Sequence, residues 1–117
     1  MTRRLPAGQA RRPANALAPK LRRDDFPSLA GFLRGYLHED FAEVHGSARD
    51  ATAAFCRDAT QDERRELAQE LSALVKVAAS LSPRDLRRFV TRDLGSRWEP
   101  ASAEQLTELL EMIRATI

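Results

Sequence analysis

The sequence predicts an all-α protein, a compact bundle of about five helices that follows a disordered basic N-terminal tail. Ala, Leu, Arg and Glu dominate the chain, whereas Gly accounts for only 5 residues and aromatic side chains for 6%. This balance favours helices over a turn-rich sheet. Apolar residues recur at helical spacing, and no window alternates for long enough to indicate a strand. The length of 117 residues suits a single domain with one modest core.

Residues 1–23 differ in charge from the rest of the chain. They hold seven basic side chains, no acidic one, three prolines and a glycine, and this composition without a helical stripe predicts disorder. The remaining residues hold 12 basic and 17 acidic side chains, so we expect residues 24–117 to form an acidic helical domain. The tail has several interpretations: it contacts nucleic acid or an acidic membrane through counterion release, directs the chain to an organelle, has no function, or results from a misassigned start codon.

Four helix-start signals divide the second half of the chain. Each places Ser or Thr at the N-cap, followed three residues later by a side chain that can complete the cap, and one adds Pro83 at the first helical position. The predicted N-caps are Ser47 (with Asp50), Thr60 (with Glu63), Ser82 (with Asp85) and Ser102 (with Gln105). Gly95 supplies a left-handed stop. The predicted helices are 26–38, 48–58, 61–80, 83–94 and 103–115, connected by short segments that fold successive helices back on each other.

A polar cluster at the end of the first helix contains the residue types that bind zinc or iron. Its members are His38, Glu39, Asp40, Glu43 and His45. The helical zinc motif needs a second histidine four residues after the first, and that position is Ala. We therefore predict no metal and no cofactor, and interpret His38 and Asp40 as groups that cap the first helix through nearby backbone.

Catalysis has equally little support in the sequence. Cys56 could act as a nucleophile with His38 or His45 as its base, but its place beside Phe55 on the core side of a short helix favours a packing role. Glu39 and Asp40 are adjacent, so on a helix they diverge by about 100° and do not cooperate as acid and base. A glycine loop for phosphate is also absent from the sequence. We predict no catalytic residues and no enzymatic activity.

The compartment follows from two features of the chain. The single cysteine cannot form an internal disulfide. No apolar run is long enough for a signal-peptide core or a membrane span. The sequence therefore predicts a cytoplasmic protein without a membrane partner.

Two surface features point to a protein partner. Trp98 lies between two predicted helices, where we interpret it as a plug at the end of the core, with an exposed interface anchor as the alternative. Acidic side chains concentrate on the third helix and after the first, and such a surface attracts a basic partner by electrostatic steering. The acidic residues that we predict to contact it are Glu39, Asp40, Glu43, Glu63, Glu66 and Glu70.

The stretch FPSLAGFLRGYLHEDF, residues 26–41, ends in a signature of Tyr36, His38, Asp40 and Phe41. It resembles the Tyr-aromatic-His-polar-Asp-aromatic signature of the immunity proteins of contact-dependent growth inhibition systems (the CdiI type). The sequence departs from that pattern at Leu37, where the family has an aromatic, and at the last position, where Trp is common. A later Tyr-x-Pro element of the family corresponds to Trp98 and Pro100, and the resemblance covers residues 26–113.

The resemblance implies a small helical cytosolic protein that binds the C-terminal toxin domain of a delivered effector and blocks its active site or substrate access. Such toxins are often nucleases with basic substrate-binding surfaces, which an acidic domain would match. We interpret the signature residues as determinants of the fold and not of toxin binding. The alternative is a small helical nucleic-acid-binding or regulatory domain that uses the basic tail. The oligomeric state and the identity of the toxin stay open.

Overall fold

A computed structural model describes the chain over residues 21–38 and 41–117, except for the side chains of Phe41 and Val44. Most of the predicted tail, up to Lys20, therefore lies outside the described residues. The described residues form helices and connections without a strand. The helices are α1 Pro27–Tyr36, α2 Phe41–Val44, α3 Ala48–Asp58, α4 Gln61–Ala78, α5 Pro83–Arg88 and α6 Ala103–Arg114. A 3-10 turn, Arg23–Asp25, precedes α1, and a π-helical turn, Phe89–Asp93, extends α5.

All five predicted helices are confirmed, with ends that differ by at most two residues once the π-helical turn is counted with α5. The sequence analysis missed α2, because four residues are too few to show a helical period. It also missed the π-helical turn, in which the amide of Leu94 donates to the carbonyl of Phe89, five residues earlier, at 3.0 Å. Among the described helices, none combines the length and apolar character that a membrane span requires.

All four predicted helix starts are confirmed, and three of the four predicted N-cap side chains make a capping hydrogen bond. Ser47 and Ser82 accept from the amides of Asp50 and Asp85, each at 3.1 Å, and Thr60 forms a complete capping box with Glu63. The fourth differs, because the side chain of Ser102 makes no capping hydrogen bond. The side chain of Gln105 instead accepts from the amide of Ala101 at 2.7 Å, just before the start of α6.

The core lies around α4, which packs against α1 on one side and α6 on the other, while α3 packs against α1 and α6. Leu67, Leu71 and Leu74 of α4 are fully buried. The apolar stripe predicted for the first helix is buried apart from a half-buried Tyr36. The sequence analysis did not place Thr52 in the core. It is nevertheless fully buried, because its hydroxyl donates to the carbonyl of Ala48 at 2.8 Å and so needs no water.

The connection between α5 and α6 is attached to the end of α1. Gly95 has the predicted left-handed backbone, with a φ of 85°, and the following amide, that of Ser96, donates to the carbonyl of Val90 at 3.1 Å. The amide of Arg97 donates to the carbonyl of Leu37 at 2.9 Å. At the other end of the described chain, Leu21 packs against the core, although the sequence analysis placed it in the tail.

Candidate functional site

The amino end of α1 is capped by a side chain of α4. The N-cap residue Phe26 offers no side-chain oxygen. The carboxylate of Glu70 replaces it, accepting from the amide of Leu29 at 2.8 Å and from the amide of Ser28 at 3.2 Å. One turn earlier on α4, Glu66 accepts from the Ser28 hydroxyl at 3.4 Å. These contacts satisfy otherwise unpaired amides and place negative charge at the positive end of the α1 dipole.

A concave surface lies between α1, α3 and α4, beside these contacts. This α1–α4 groove has a volume of about 230 Å³ and is lined by Ser28, Gly31, Phe32, Tyr36, Phe55, Glu63 and Glu66. Its aromatic rings pack against one another: Phe55 meets Phe32 edge-on with ring centroids 5.1 Å apart and Tyr36 at 5.6 Å, while Phe32 stacks on Tyr36 at 5.9 Å. These contacts join the three rings into one aromatic wall of the groove.

Carboxylates surround this wall. Glu63 and Glu66 line the α1–α4 groove, and the hydroxyl of Tyr36 donates to Asp58 at 3.0 Å. The pKa of Tyr36 is raised, first by burial, then by its hydrogen bond to Asp58 and by the charges of Asp58 and Glu63. The ion pairs found among the described residues are Arg22–Asp24, Arg49–Glu108 and Arg65–Asp62. None of these ion pairs neutralises a carboxylate at the groove.

Arg64 follows Glu63 in α4, but its side chain makes hydrogen bonds to α3 and not to the groove carboxylates. Arg64 turns toward the end of α3, where its guanidinium donates to the carbonyl of Ala59 at 2.6 Å and to that of Cys56 at 3.1 Å. These two carbonyls lie at the carboxyl end of α3, which favours a positive charge. The arginine therefore joins α3 to α4 by capping α3, while Glu66 and Glu70 of α4 contact α1.

The two histidines of the polar cluster, for which the sequence analysis predicted no metal, lie beside the groove aromatics. His45 stacks on Tyr36 with ring centroids 5.8 Å apart, and His38 follows at 6.4 Å from His45. Glu39 and Asp40 lie outside the described residues, so the predicted cap by Asp40 has no structural description. Among the residues that are described, no group of three or more His, Cys, Asp or Glu side chains is arranged to hold a metal ion.

The second part of the signature lies in the connection that precedes α6. Trp98 is half-buried and packs against the core, in keeping with its interpretation as a plug, and Pro100 is buried. The amide of Trp98 donates to the hydroxyl of Ser96 at 3.0 Å, and this hydroxyl donates to the carbonyl of Trp98 at 2.7 Å. Cys56 is also half-buried and packs against the core, as predicted.

The six predicted contact residues occupy different surroundings. Glu63 and Glu66 line the α1–α4 groove, the carboxylate of Glu70 is held by α1, and Glu43 is exposed on α2. The other two, Glu39 and Asp40, lie outside the described residues. The sequence analysis did not identify the groove aromatics as part of a surface. The signal that could have revealed the groove is Gly31, since a glycine beside an aromatic stripe leaves space that a larger side chain would fill.

Positive charge lies mainly on other surfaces, and Arg23 and Arg34 line a separate groove that shares Gly31 with the α1–α4 groove. A larger groove of about 640 Å³ runs between α4 and α6, and its lining includes Arg65, Lys76 and Arg114. Arg84 and Arg88 are exposed on α5. The acidic balance of the domain is therefore unevenly distributed, and the α1 side of α4 is its acidic face.

A small helical domain whose surface offers a groove with aromatic walls and uncompensated carboxylates has the form of a protein-binding module. The family model for CdiI immunity proteins matches residues 25–117. The chain therefore belongs to the CdiI immunity protein family, which confirms the resemblance of its signature.

A solved structure supports the same assignment. The chain is similar to one in the crystal structure of a CdiA-CT/CdiI complex from Y. kristensenii, with 26% sequence identity and a TM-score of 0.68. The similarity covers 79% of this chain and 96% of that one. A search of curated proteins finds no significant match.

Proposed function

We propose that this protein neutralises the C-terminal toxin domain of a CdiA-type effector by binding it one to one in the cytoplasm, without catalysing a reaction. The observation that carries the proposal is the likeness, at a TM-score of 0.68, to a chain from a CdiA-CT/CdiI complex. The family of the chain and the acidic face of α4 also support it. The protein would act as a stoichiometric inhibitor that covers the active site of the toxin or the path to it.

Charge and burial would contribute differently to such a complex. Exposed carboxylates accelerate encounter with a basic partner, whereas a few well-packed anchors at the centre of an interface supply most of the affinity. The proposed contact residues are Glu39, Asp40, Glu43, Glu63, Glu66 and Glu70. Two of them, Glu63 and Glu66, line the α1–α4 groove and place negative charge beside its aromatic wall.

The toxin that best fits an acidic inhibitor is a nuclease. A nuclease must bind the phosphate backbone, and Lys and Arg side chains dominate such surfaces. An inhibitor that presents carboxylates to these side chains would compete with the nucleic acid for the same positive charges. The acidic face of α4 supports this assignment.

The proposal is tested by mixing the purified protein with the purified toxin domain encoded by the neighbouring gene. Size-exclusion chromatography at micromolar concentrations should give a one-to-one complex, and raising the salt should weaken it because exposed charges are screened. Addition of the protein should also stop the toxin from degrading RNA or DNA. Failure of the two proteins to co-elute would overturn the proposed function. If the two proteins form a complex but the free toxin domain degrades neither RNA nor DNA, only the nuclease assignment is overturned.

A further inference from the structure

We propose that the α1–α4 groove is the socket for one arginine side chain of the toxin domain, held by Glu63 and Glu66 against the aromatic wall. This inference rests on the proposed function and specifies which surface of the protein contacts the toxin. The occupant is a guanidinium group presented by a basic protein surface. Three properties of the groove support the assignment: its size, its charge and its preorganisation.

The size of the groove favours a single side chain. Its volume of about 230 Å³ falls below the roughly 300–1,000 Å³ of ordinary small-molecule sites. It is also a shallow surface feature and not an enclosed cavity, so a cofactor would stay largely in water. One long side chain that projects from a partner would fill the groove and bring the surrounding surfaces into contact.

The charge and the walls of the groove favour arginine. Glu63 and Glu66 line it, and none of the ion pairs found in the described parts of the chain neutralises either carboxylate. The buried ring of Phe32 and the half-buried rings of Tyr36 and Phe55 form the apolar wall of the groove. A guanidinium group pairs with carboxylates through several N–H donors and stacks its flat face on aromatic rings, whereas an ammonium group is a compact and more strongly hydrated charge. An acidic or purely apolar occupant would desolvate both carboxylates without supplying a positive charge to pair with them.

The carboxylates are held in place before any partner arrives. Glu63 accepts from the amide of Thr60 at 2.8 Å in the capping box, and Glu66 accepts from the hydroxyl of Ser28. Each bond uses one of two carboxylate oxygens, and a carboxylate has further acceptor capacity for a guanidinium. Burial is the largest cause of the raised pKa of Tyr36, and the nearby charges of Asp58 and Glu63 raise it further. Preorganised groups lose little conformational entropy on binding.

Replacing Glu63 and Glu66 by glutamine, which has nearly the same shape without the charge, tests the socket. In the variant Glu63→Gln/Glu66→Gln the capping box survives, because glutamine also serves at that position. The matched control, Glu104→Gln/Glu111→Gln, removes the same charge from exposed positions on α6. We expect the Kd for the neighbouring-gene toxin domain, measured by titration calorimetry, to rise about 100-fold for the groove variant because a close charge pair is lost. The control should change it less than about 3-fold, since rim charges mainly affect association rates.

The outcomes separate the socket from the proposed function. If the wild-type protein does not bind the toxin domain, the proposed function fails and the socket fails with it. If the wild type binds and both variants weaken binding equally, the carboxylates act only through general steering and the socket is wrong. Unchanged binding by the groove variant would lead to the same conclusion.

A steric variant and a scan of the toxin complete the test. A Cβ at Gly31 or at Gly35 would meet nothing within 4 Å, so a side chain can be added at both positions without a clash at its Cβ. Gly31→Leu should obstruct the groove and weaken binding at least 10-fold, with Gly35→Leu, outside the groove lining, as the control. The basic residues of the toxin can also be replaced by alanine one at a time. Replacement of one arginine should weaken binding to the wild-type protein, but should have little further effect on binding to the Glu63→Gln/Glu66→Gln variant. Coupling to a lysine alone, or to no residue, would overturn the assignment.

Discussion

The carboxylate of Glu70 on α4 lies 2.8 Å from the amide nitrogen of Leu29 on α1 and closes the amino end of that helix from 41 residues away in the chain. A helix whose own N-cap residue is Phe26 leaves its first amides unsatisfied. Because Glu66 touches Ser28 beside this cap, the same contacts fix the position of α1 against α4. The α1–α4 groove lies between these two helices, so its shape depends on the cap.

Replacement of Glu70 should therefore destabilise the fold. For Glu70→Ala we expect the free energy of unfolding to fall by about 1–2 kcal/mol, as for the loss of a helix cap with part-buried amides. The neighbouring exposed residue offers a control, and Gln69→Ala should stay within about 0.5 kcal/mol of the wild type. Urea denaturation followed by circular dichroism measures both values. Equal stability of the two variants would show that the cap has no energetic role.

Tyr36 should titrate above the ordinary tyrosine pKa of 10.0, because burial, Asp58 and Glu63 all disfavour its phenolate. The chain has one tyrosine, so phenolate absorbance reports this group alone. The pKa should fall toward the ordinary value in Asp58→Asn, although the contribution of burial persists. A wild-type midpoint at or below 10.0 would contradict the environment described for the groove.

The same shift predicts how stability depends on alkaline pH. A group with a raised pKa in the folded state contributes stability that is present below the unfolded pKa and is lost as the pH rises through the folded pKa. The wild-type protein should therefore lose stability above about pH 10. The Tyr36→Phe protein has no ionisable group at this position, so its free energy of unfolding should fall less between neutral and alkaline pH. Denaturation curves at neutral and alkaline pH compare the two proteins, and parallel losses would exclude a contribution from Tyr36.

Two glycine substitutions should change stability in opposite directions. Gly95 has a φ of 85°, and a Cβ there would lie 2.8 Å from Nε of Arg34, so Gly95→Ala should cost about 1–2 kcal/mol through backbone strain and crowding. Gly31 lies within α1 with nothing within 4 Å of an added Cβ. Gly31→Ala should therefore stabilise the protein by about 0.5–1 kcal/mol through helix propensity. Thermal denaturation measures both, and a stabilised Gly95→Ala protein would contradict the described turn.

The helices were predictable because their signals are local. The caps at Ser47, Thr60 and Ser82 lie within three residues of the amides that they satisfy, and the apolar period needs only one helix to be visible. The α1–α4 groove was not predictable, since it joins residues as far apart as Ser28 and Glu66. On sequence alone the acidic run of α4 is a solvated face. Only the packing of α1 shows that Glu70 caps another helix.

Deletion of the basic N-terminal residues should leave toxin binding intact. The structure sets the cut after Lys20, because Leu21 packs against the core. A protein lacking residues 1–20 should bind the neighbouring-gene toxin domain within about 3-fold of the full-length Kd at physiological salt, a factor that corresponds to about 0.7 kcal/mol. The alternative function, nucleic-acid binding through the tail, requires instead that the deletion abolish RNA or DNA binding by the full chain. Electrophoretic mobility shifts with both proteins distinguish the two functions.

Protection of a living cell tests the central claim most directly. Bacteria that produce the neighbouring-gene toxin domain in their cytoplasm should stop growing, and co-production of this protein should restore viable counts to those of cells without toxin. An unrelated CdiI protein produced at the same level should give no protection, because specificity lies in the surface contacts and not in the fold. Growth arrest that persists although the protein accumulates in folded form would contradict the proposed function.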